Sequence, residues 1–258
     1  VDVSVVDGLA YGSSGQRMDA YFPEDRPDPC PIVLLWHGRG PNERDVLAPL
    51  SRAIASLGVG CFVPDWRPDA EDGGQTDLRE SALFVERHGA DFNGDATRIT
   101  LAGWSLGGKT AVAVALDDGA LDGWRPQAVV AIAGGYTSPD PLTGRAALER
   151  LAGDDVLASP LPVHVIHGTA DSRVDVEQAR RLHSALRKRG WPATLTELDA
   201  DHAGAVMTVY DPEARRCLPA RDERMLRAGN ETARVVAQAA KPAGKLVGAA
   251  SEVTTPTA

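Results

Sequence analysis

Apolar positions along the chain fall into short runs set apart by amphipathic stretches. Residues 3–11 and 15–22 alternate around Gly12-Ser13-Ser14-Gly15, which predicts an antiparallel hairpin at the start of the chain. Uniformly apolar runs follow at Ile32–Trp36, Cys61–Val63, Ile99–Ala102, Ala128–Ala133 and Val163–Ile166, with a last strand at Thr194–Leu198. Between them, helical spacing predicts helices over 45–57, 77–88, 111–116 and 176–189, a shorter one near 143–151, and a closing helix over 223–240. Pro49 sits in the first turns of the 45–57 pattern, so that helix is expected to begin a few residues late.

Strands that are apolar throughout must be covered on both faces, and their alternation with helices predicts an α/β fold with a mostly parallel central sheet. No repeat or shift in composition marks a second domain, so residues 1–240 read as one unit. The link over 136–161 is too short for a large cap, and 203–222 reads as a polar excursion after the last strand. The Ala/Gly/Ser/Thr/Pro-rich segment 241–258 is expected to be a disordered tail.

Between the strand at 99–102 and the helix at 111–116 lies Gly103-Trp104-Ser105-Leu106-Gly107, a G-x-S-x-G pattern in a strand–turn–helix context. Such a turn strains the apical residue and lifts its side chain clear of the sheet. Glycines flank the apex because a Cβ there would collide with the turn. Ser105 is therefore the candidate nucleophile, and the Leu106 N–H at the helix start a candidate donor to negative charge beside it.

A serine hydroxyl needs a base, and the base needs an anion to orient it. Of the six histidines, His88 and His183 fall on outward helix positions, and His164 and His167 point to opposite faces of one strand. His37 and His167 read as supports for the loops that they begin. His202, just past the last strand, lies on the edge of the sheet where open α/β sheets bind ligands, and is the candidate base. Asp171 is the candidate acid, with Asp175 better explained as a helix cap. The loop His37-Gly38-Arg39-Gly40 follows the first apolar strand and would bring a second oxyanion donor from Arg39 or Gly40. The Arg39 side chain reads either as a contact for an anionic or polar substrate or as half of a salt bridge. Trp66, Trp104, Tyr136 and residues 203–215 are expected to wall the pocket.

With Ser105, Asp171 and His202 in that chain order, and with Tyr11-Gly12 and Met18-Asp19-Ala20-Tyr21-Phe22-Pro23 opening the chain, residues 1–240 resemble the α/β-hydrolase-fold serine esterases. The likeness is to the soluble carboxylesterase/acetyl-esterase type, with kynurenine-formamidase-like and dienelactone-hydrolase-like enzymes as relatives. Arg39 departs from the glycine-rich form of their oxyanion loop. The resemblance implies hydrolysis of a carboxylic ester without metal or organic cofactor, and the three residues predict an acyl-enzyme intermediate on a small-molecule substrate, with little or no cap given the short 136–161 link. The same three residues would also serve an amide, lactone or thioester, and a hydrolase fold can also act as a non-catalytic ligand-binding protein.

Charge and cysteines narrow the partners. A net charge of −9 argues against nucleic acid or an anionic membrane surface, and no apolar run is long enough to span a bilayer. Cys30, Cys61 and Cys217 have neither metal-ligand nor disulfide-framework spacing, although one bridge stays open. A chain starting at Val1 without a visible signal peptide is expected to be cytoplasmic, with secretion left open because a trimmed leader would leave the same trace.

Overall fold

A computed structural model describes residues 1–24 and 26–241. Strands β1 (Val3–Tyr11) and β2 (Gln16–Pro23) form the expected hairpin. Then come β3 (Cys30–Trp36), α1 (Ala48–Ser56), β4 (Gly60–Pro64), α2 (Gln75–His88), β5 (Gly94–Trp104) and α3 (Leu106–Leu116). The chain continues through β6 (Ala128–Ile132), α4 (Ala147–Ala152), β7 (Val163–Gly168), α5 (Glu177–Lys188) and β8 (Ala193–Leu198). It closes with the short strands β9 (Thr208–Asp211) and β10 (Arg216–Pro219) and the helix α6 (Glu223–Ala240).

Eight strands form one sheet in the order β1-β2-β4-β3-β5-β6-β7-β8. From β4 to β8 every neighbouring pair is parallel, and β2 joins antiparallel to β4. The twofold alternation of strand side chains divides the core between the two faces. Ile32, Leu34, Trp36, Phe62, Leu101, Val129 and Val165 pack under α2, α3, α4 and α5. Val33, Leu35, Cys61, Val63, Val130 and Ile166 pack under α1 and α6. Their uniform apolarity follows from cover on both sides.

Two local features have simple causes. Residues 44–47 form a 3-10 turn, and α1 starts at Ala48, a few residues late as expected, because Pro49 is accepted in a first helical turn and not further in. The polar excursion over 203–222 holds the antiparallel pair β9–β10, whose strands are too short and too exposed to show an apolar pattern. The disordered tail expected over 241–258 lies, apart from Lys241, outside the described residues. All three cysteines are free, Cys30 and Cys61 within the core. Among the described residues no helix is long and apolar enough to cross a membrane.

At the centre of the sheet, α3 leaves β5 through Ser105 alone. The helix is buried on every side from Gly107 to Leu116, so it must lie almost against the strands. A Cβ on Gly103 would come within 2.3 Å of the Gly107 backbone, and one on Gly107 within 2.4 Å of the Trp36 carbonyl oxygen. These are backbone atoms and cannot swing aside. Gly107→Ala is therefore expected to lower stability by about 2 kcal/mol or more, in the upper range for overpacking. Gly119→Ala, which meets nothing closer than 3.3 Å, should change it by less than about 0.5 kcal/mol. Urea unfolding of both variants checks this; equal midpoints would contradict the close approach.

Candidate active site

The turn between β5 and α3 holds Ser105 at φ 57° and ψ −114°, a conformation that non-glycine residues avoid. Hydrogen bonds fix it on both sides: Ser105 N–H donates to the Ile132 carbonyl at 2.8 Å, and Lys109 N–H donates to the Ser105 carbonyl at 3.0 Å. The hydroxyl is consequently aimed away from the sheet. Ser105 Oγ lies 3.0 Å from His202 Nε2, and His202 Nδ1 lies 2.7 Å from Asp171 Oδ2. An ionised carboxylate only accepts, so Nδ1 carries the proton and neutral Nε2 is left to accept from the serine hydroxyl. Ninety-seven residues separate the serine from the histidine, and the sheet edge brings them together.

Asp171 is buried, and burial alone would raise its pKa. Hydrogen bonds from His167, His202 and the Val174 N–H outweigh that cost and hold the carboxyl well below the usual carboxylate range. Oδ1 accepts the amides of Arg173 and Val174, each at 2.9 Å. Oδ2 faces both His202 and His167, the latter at 3.2 Å. His167 also bonds the Val174 carbonyl at 2.9 Å, so it supports the turn as expected and in addition touches the acid itself. That second contact has no trace in the linear spacing. Asp175 is exposed and accepts the Glu177 amide at the start of α5, a capping role.

His202 is held from below by Trp104, whose indole N–H donates to the His202 carbonyl at 3.0 Å, with ring centroids 5.3 Å apart. Around Ser105 opens a cleft of about 490 Å³. Its lining includes Arg39, Gly40, Trp104, Asp201, His202 and Ala203. Trp66 and Tyr136, expected as walls, are fully buried and do not line it. Trp66 instead bonds His37 through its indole and backbone N–H groups, and the Tyr136 ring fills the space beside Gly134. Large aromatic rings near a strand end can pack inward as readily as face a ligand, and sequence does not separate the two. From the expected 203–215 segment the cleft takes in Ala203, Tyr210 and Arg215, and it adds Glu43, Ser172, Arg173, Arg216 and Cys217, which the linear spacing does not single out. Among the described residues, no three His, Cys, Asp or Glu side chains gather as a metal site.

The loop after β3 crosses directly over the turn: a Cβ on Gly38 would lie 3.4 Å from Ser105 Cβ. Leu106 begins α3, so its N–H has no acceptor within the helix. On the loop, the Glu43 carboxylate packs onto Gly40, close enough to overlap any added Cβ. His37 anchors the loop from beneath. Its Nδ1 faces the Gly38 carbonyl at 3.1 Å, and Nε2 accepts the amides of Trp66 at 3.1 Å and Glu43 at 3.3 Å. Two donors aimed at Nε2 require a neutral ring, and burial pushes the His37 pKa down to about 3.

The consequence for stability has a definite sign. The unfolded imidazole takes up a proton below about pH 6.5, while folded His37 does not until near pH 3, so stability falls as pH drops through that window. Between pH 6.5 and 5 the loss from this group is about 2 kcal/mol. His37→Gln is expected to be less stable at pH 7 yet to show a flatter decline in Tm from pH 7 to 5. A decline as steep as that of the parent protein would contradict a buried neutral ring.

Comparison with known proteins agrees with this architecture. The solved structures it resembles include a putative dienelactone hydrolase from Klebsiella pneumoniae (TM-score 0.64, 19% identity, 92% of this chain and all of the other). They also include a butyrate-bound thermophilic esterase from Thermogutta terrifontis (TM-score 0.67, 16% identity, 90% and 92% of the two chains). A further structure shows that esterase phosphorylated by paraoxon. The uncharacterized protein YfhR of Escherichia coli O157:H7 is 26% identical over 190 residues, or 67% of this chain and 66% of the relative. Residues 33–249 match the family described as the alpha/beta hydrolase family. With most of its length matched and this sheet order around the β5–α3 turn, the chain belongs to the alpha/beta hydrolase family.

Proposed function

We propose that this protein is a serine esterase that hydrolyses a carboxylic ester of a small molecule through an acyl-enzyme intermediate. The observation that carries the reading is the continuous relay from Ser105 Oγ through His202 to Asp171, at 3.0 and 2.7 Å, opening into a cleft. Ser105 attacks the carbonyl carbon as its proton passes to His202 Nε2, and Asp171 stabilises the imidazolium and keeps the ring in the required tautomer. The carbonyl oxygen then becomes negative. It is held by the N–H of Leu106, aided by the positive end of α3, and by a backbone N–H of the loop at Arg39 and Gly40.

Collapse of this intermediate expels the alcohol, protonated by His202, and leaves the acyl group on Ser105. Water enters the open cleft, gives its proton to His202, and the second tetrahedral intermediate releases the acid. A neighbour that is an esterase, and that is phosphorylated by paraoxon in a further structure, supports the same chemistry for this chain. His167 is a positioning residue, since it reaches the reaction only through Asp171.

Ser105→Ala is expected to lower kcat for a p-nitrophenyl ester by roughly 10⁴-fold or more without loss of fold. A variant that keeps a tenth of the parent rate would overturn Ser105 as nucleophile. The acid is tested by a pair of substitutions read for both rate and Tm. Asp171→Asn should cost about 10⁴ in kcat while the protein stays folded. Asp175→Ala removes only a cap, about 1 kcal/mol or a Tm drop of about 2–4 °C, with activity kept. The reverse pattern would move the acid to Asp175.

A further inference from the structure

The cleft beside Ser105 is lined by four arginines drawn from three separate parts of the chain. Arg39 follows β3, Arg173 follows β7, and Arg215 and Arg216 stand at the start of β10. Two carboxylates, Glu43 and Asp201, share the lining. Two carboxylates do not balance four guanidinium groups. Burial pushes the Glu43 carboxyl up, and Arg216 is the cleft cation that opposes this. Asp201 Oδ1 accepts the Gly204 amide at 2.7 Å and holds the turn after His202.

Arg216 is committed to Asp45, with one terminal nitrogen 2.7–2.8 Å from both carboxylate oxygens, and its Nε is buried without a partner among the described residues. The side chains of Arg39, Arg173 and Arg215 make no ion pair or hydrogen bond with any described residue, so their guanidinium groups are free to take an anion. Arg173 lies 5.9 Å from the Tyr210 ring centroid, a contact that holds the cation at the rim without discharging it. Behind Arg39, the Lys109 pKa is lowered, first by burial and then by Arg39 itself. Three unpaired guanidinium groups around one concave site, in a chain with 36 acidic and 27 basic residues, concentrate positive potential where the ester must bind.

We infer that the substrate carries a carboxylate, which Arg39, Arg173 and Arg215 hold across the cleft while the ester carbonyl faces Ser105. This rests on the proposed esterase reading, and names the class of ester within it. A guanidinium presents paired N–H donors that match the two oxygens of a carboxylate, which a neutral acyl chain cannot use. The volume of about 490 Å³ suits a small acid of this kind.

The test compares matched esters: mono-4-nitrophenyl glutarate against 4-nitrophenyl butyrate for an anionic acyl group, and 4-acetoxybenzoate against phenyl acetate for an anionic leaving group. Each rate is normalised to hydroxide-catalysed hydrolysis. In at least one pair the anionic ester should be preferred in kcat/KM by roughly tenfold or more, the scale of one charge-assisted hydrogen bond. The preference should shrink as NaCl rises from about 25 to about 500 mM, and fall towards parity in the Arg39→Gln/Arg173→Gln/Arg215→Gln variant, chiefly through KM. The three single variants, each with a partial loss, serve if the triple variant misfolds. Calorimetric titration of glutarate into the parent protein and into Ser105→Ala separates the two readings. Turnover of neutral esters without preference for either anionic one overturns the carboxylate inference and leaves the esterase reading intact. No turnover, but glutarate binding that is lost in the arginine variants, upholds the anion site and overturns the esterase reading. Absence of both turnover and arginine-dependent binding overturns the inference.

Discussion

The approach of α3 to the centre of the sheet is the constraint on which the rest of the site depends. One residue, Ser105, must reverse the chain from strand to helix, and it does so at φ 57° with its amide and carbonyl both hydrogen-bonded. The strain at that residue, of order 1–3 kcal/mol, is held by the packing of a helix buried on all sides against β3, β5 and β6. Glycine at 103 and 107 permits the contact. The same geometry that burdens the backbone leaves the serine side chain facing the cleft and the helix N-terminus beside it, so strain and access have one origin.

Rigid support surrounds that turn. His37 ties Gly38, Glu43 and Trp66 into one loop over Ser105. Trp104 carries His202 from below, and the Asp201 carboxylate closes the turn that follows. Asp171 is held by two backbone amides and two imidazoles. These partners satisfy the Asp171 carboxylate and the His37 ring in their buried places and aim the side chains as well. Electrostatic stabilisation of a transition state draws on donors fixed in this way.

Charge is distributed unevenly between the molecule and its cleft. The chain as a whole is acidic, which favours solubility and disfavours polyanions, whereas the lining of the cleft is rich in arginine. The β9–β10 pair contributes much of this contrast by bringing Tyr210, Arg215, Arg216 and Cys217 to a sheet edge that β3 and β7 already furnish with Arg39 and Arg173. Net charge therefore describes long-range encounter, while local, unpaired side chains describe what the cleft can hold.

Periodicity and glycine placement were enough to determine the strands, their parallel arrangement, the N-terminal hairpin and the turn at Ser105, because each follows from short-range sterics and from burial on one face or two. Strand ends also marked Ser105, Asp171 and His202 as candidates, since open α/β sheets gather ligands at one edge. Only the tertiary structure decided what each side chain meets. Trp66 and Tyr136 turned inward, where their rings fill the core, while Trp104 became a support for His202. His167 reached Asp171, and Glu43 packed onto Gly40, through contacts set by loops crossing between strands. The β9–β10 strands left no apolar signature, being short and exposed, and their arginines look like ordinary surface charge until the fold sets them around the cleft. Sequence carries local geometry and periodic burial; pairing between distant side chains exists only once the sheet has brought their loops to a common edge.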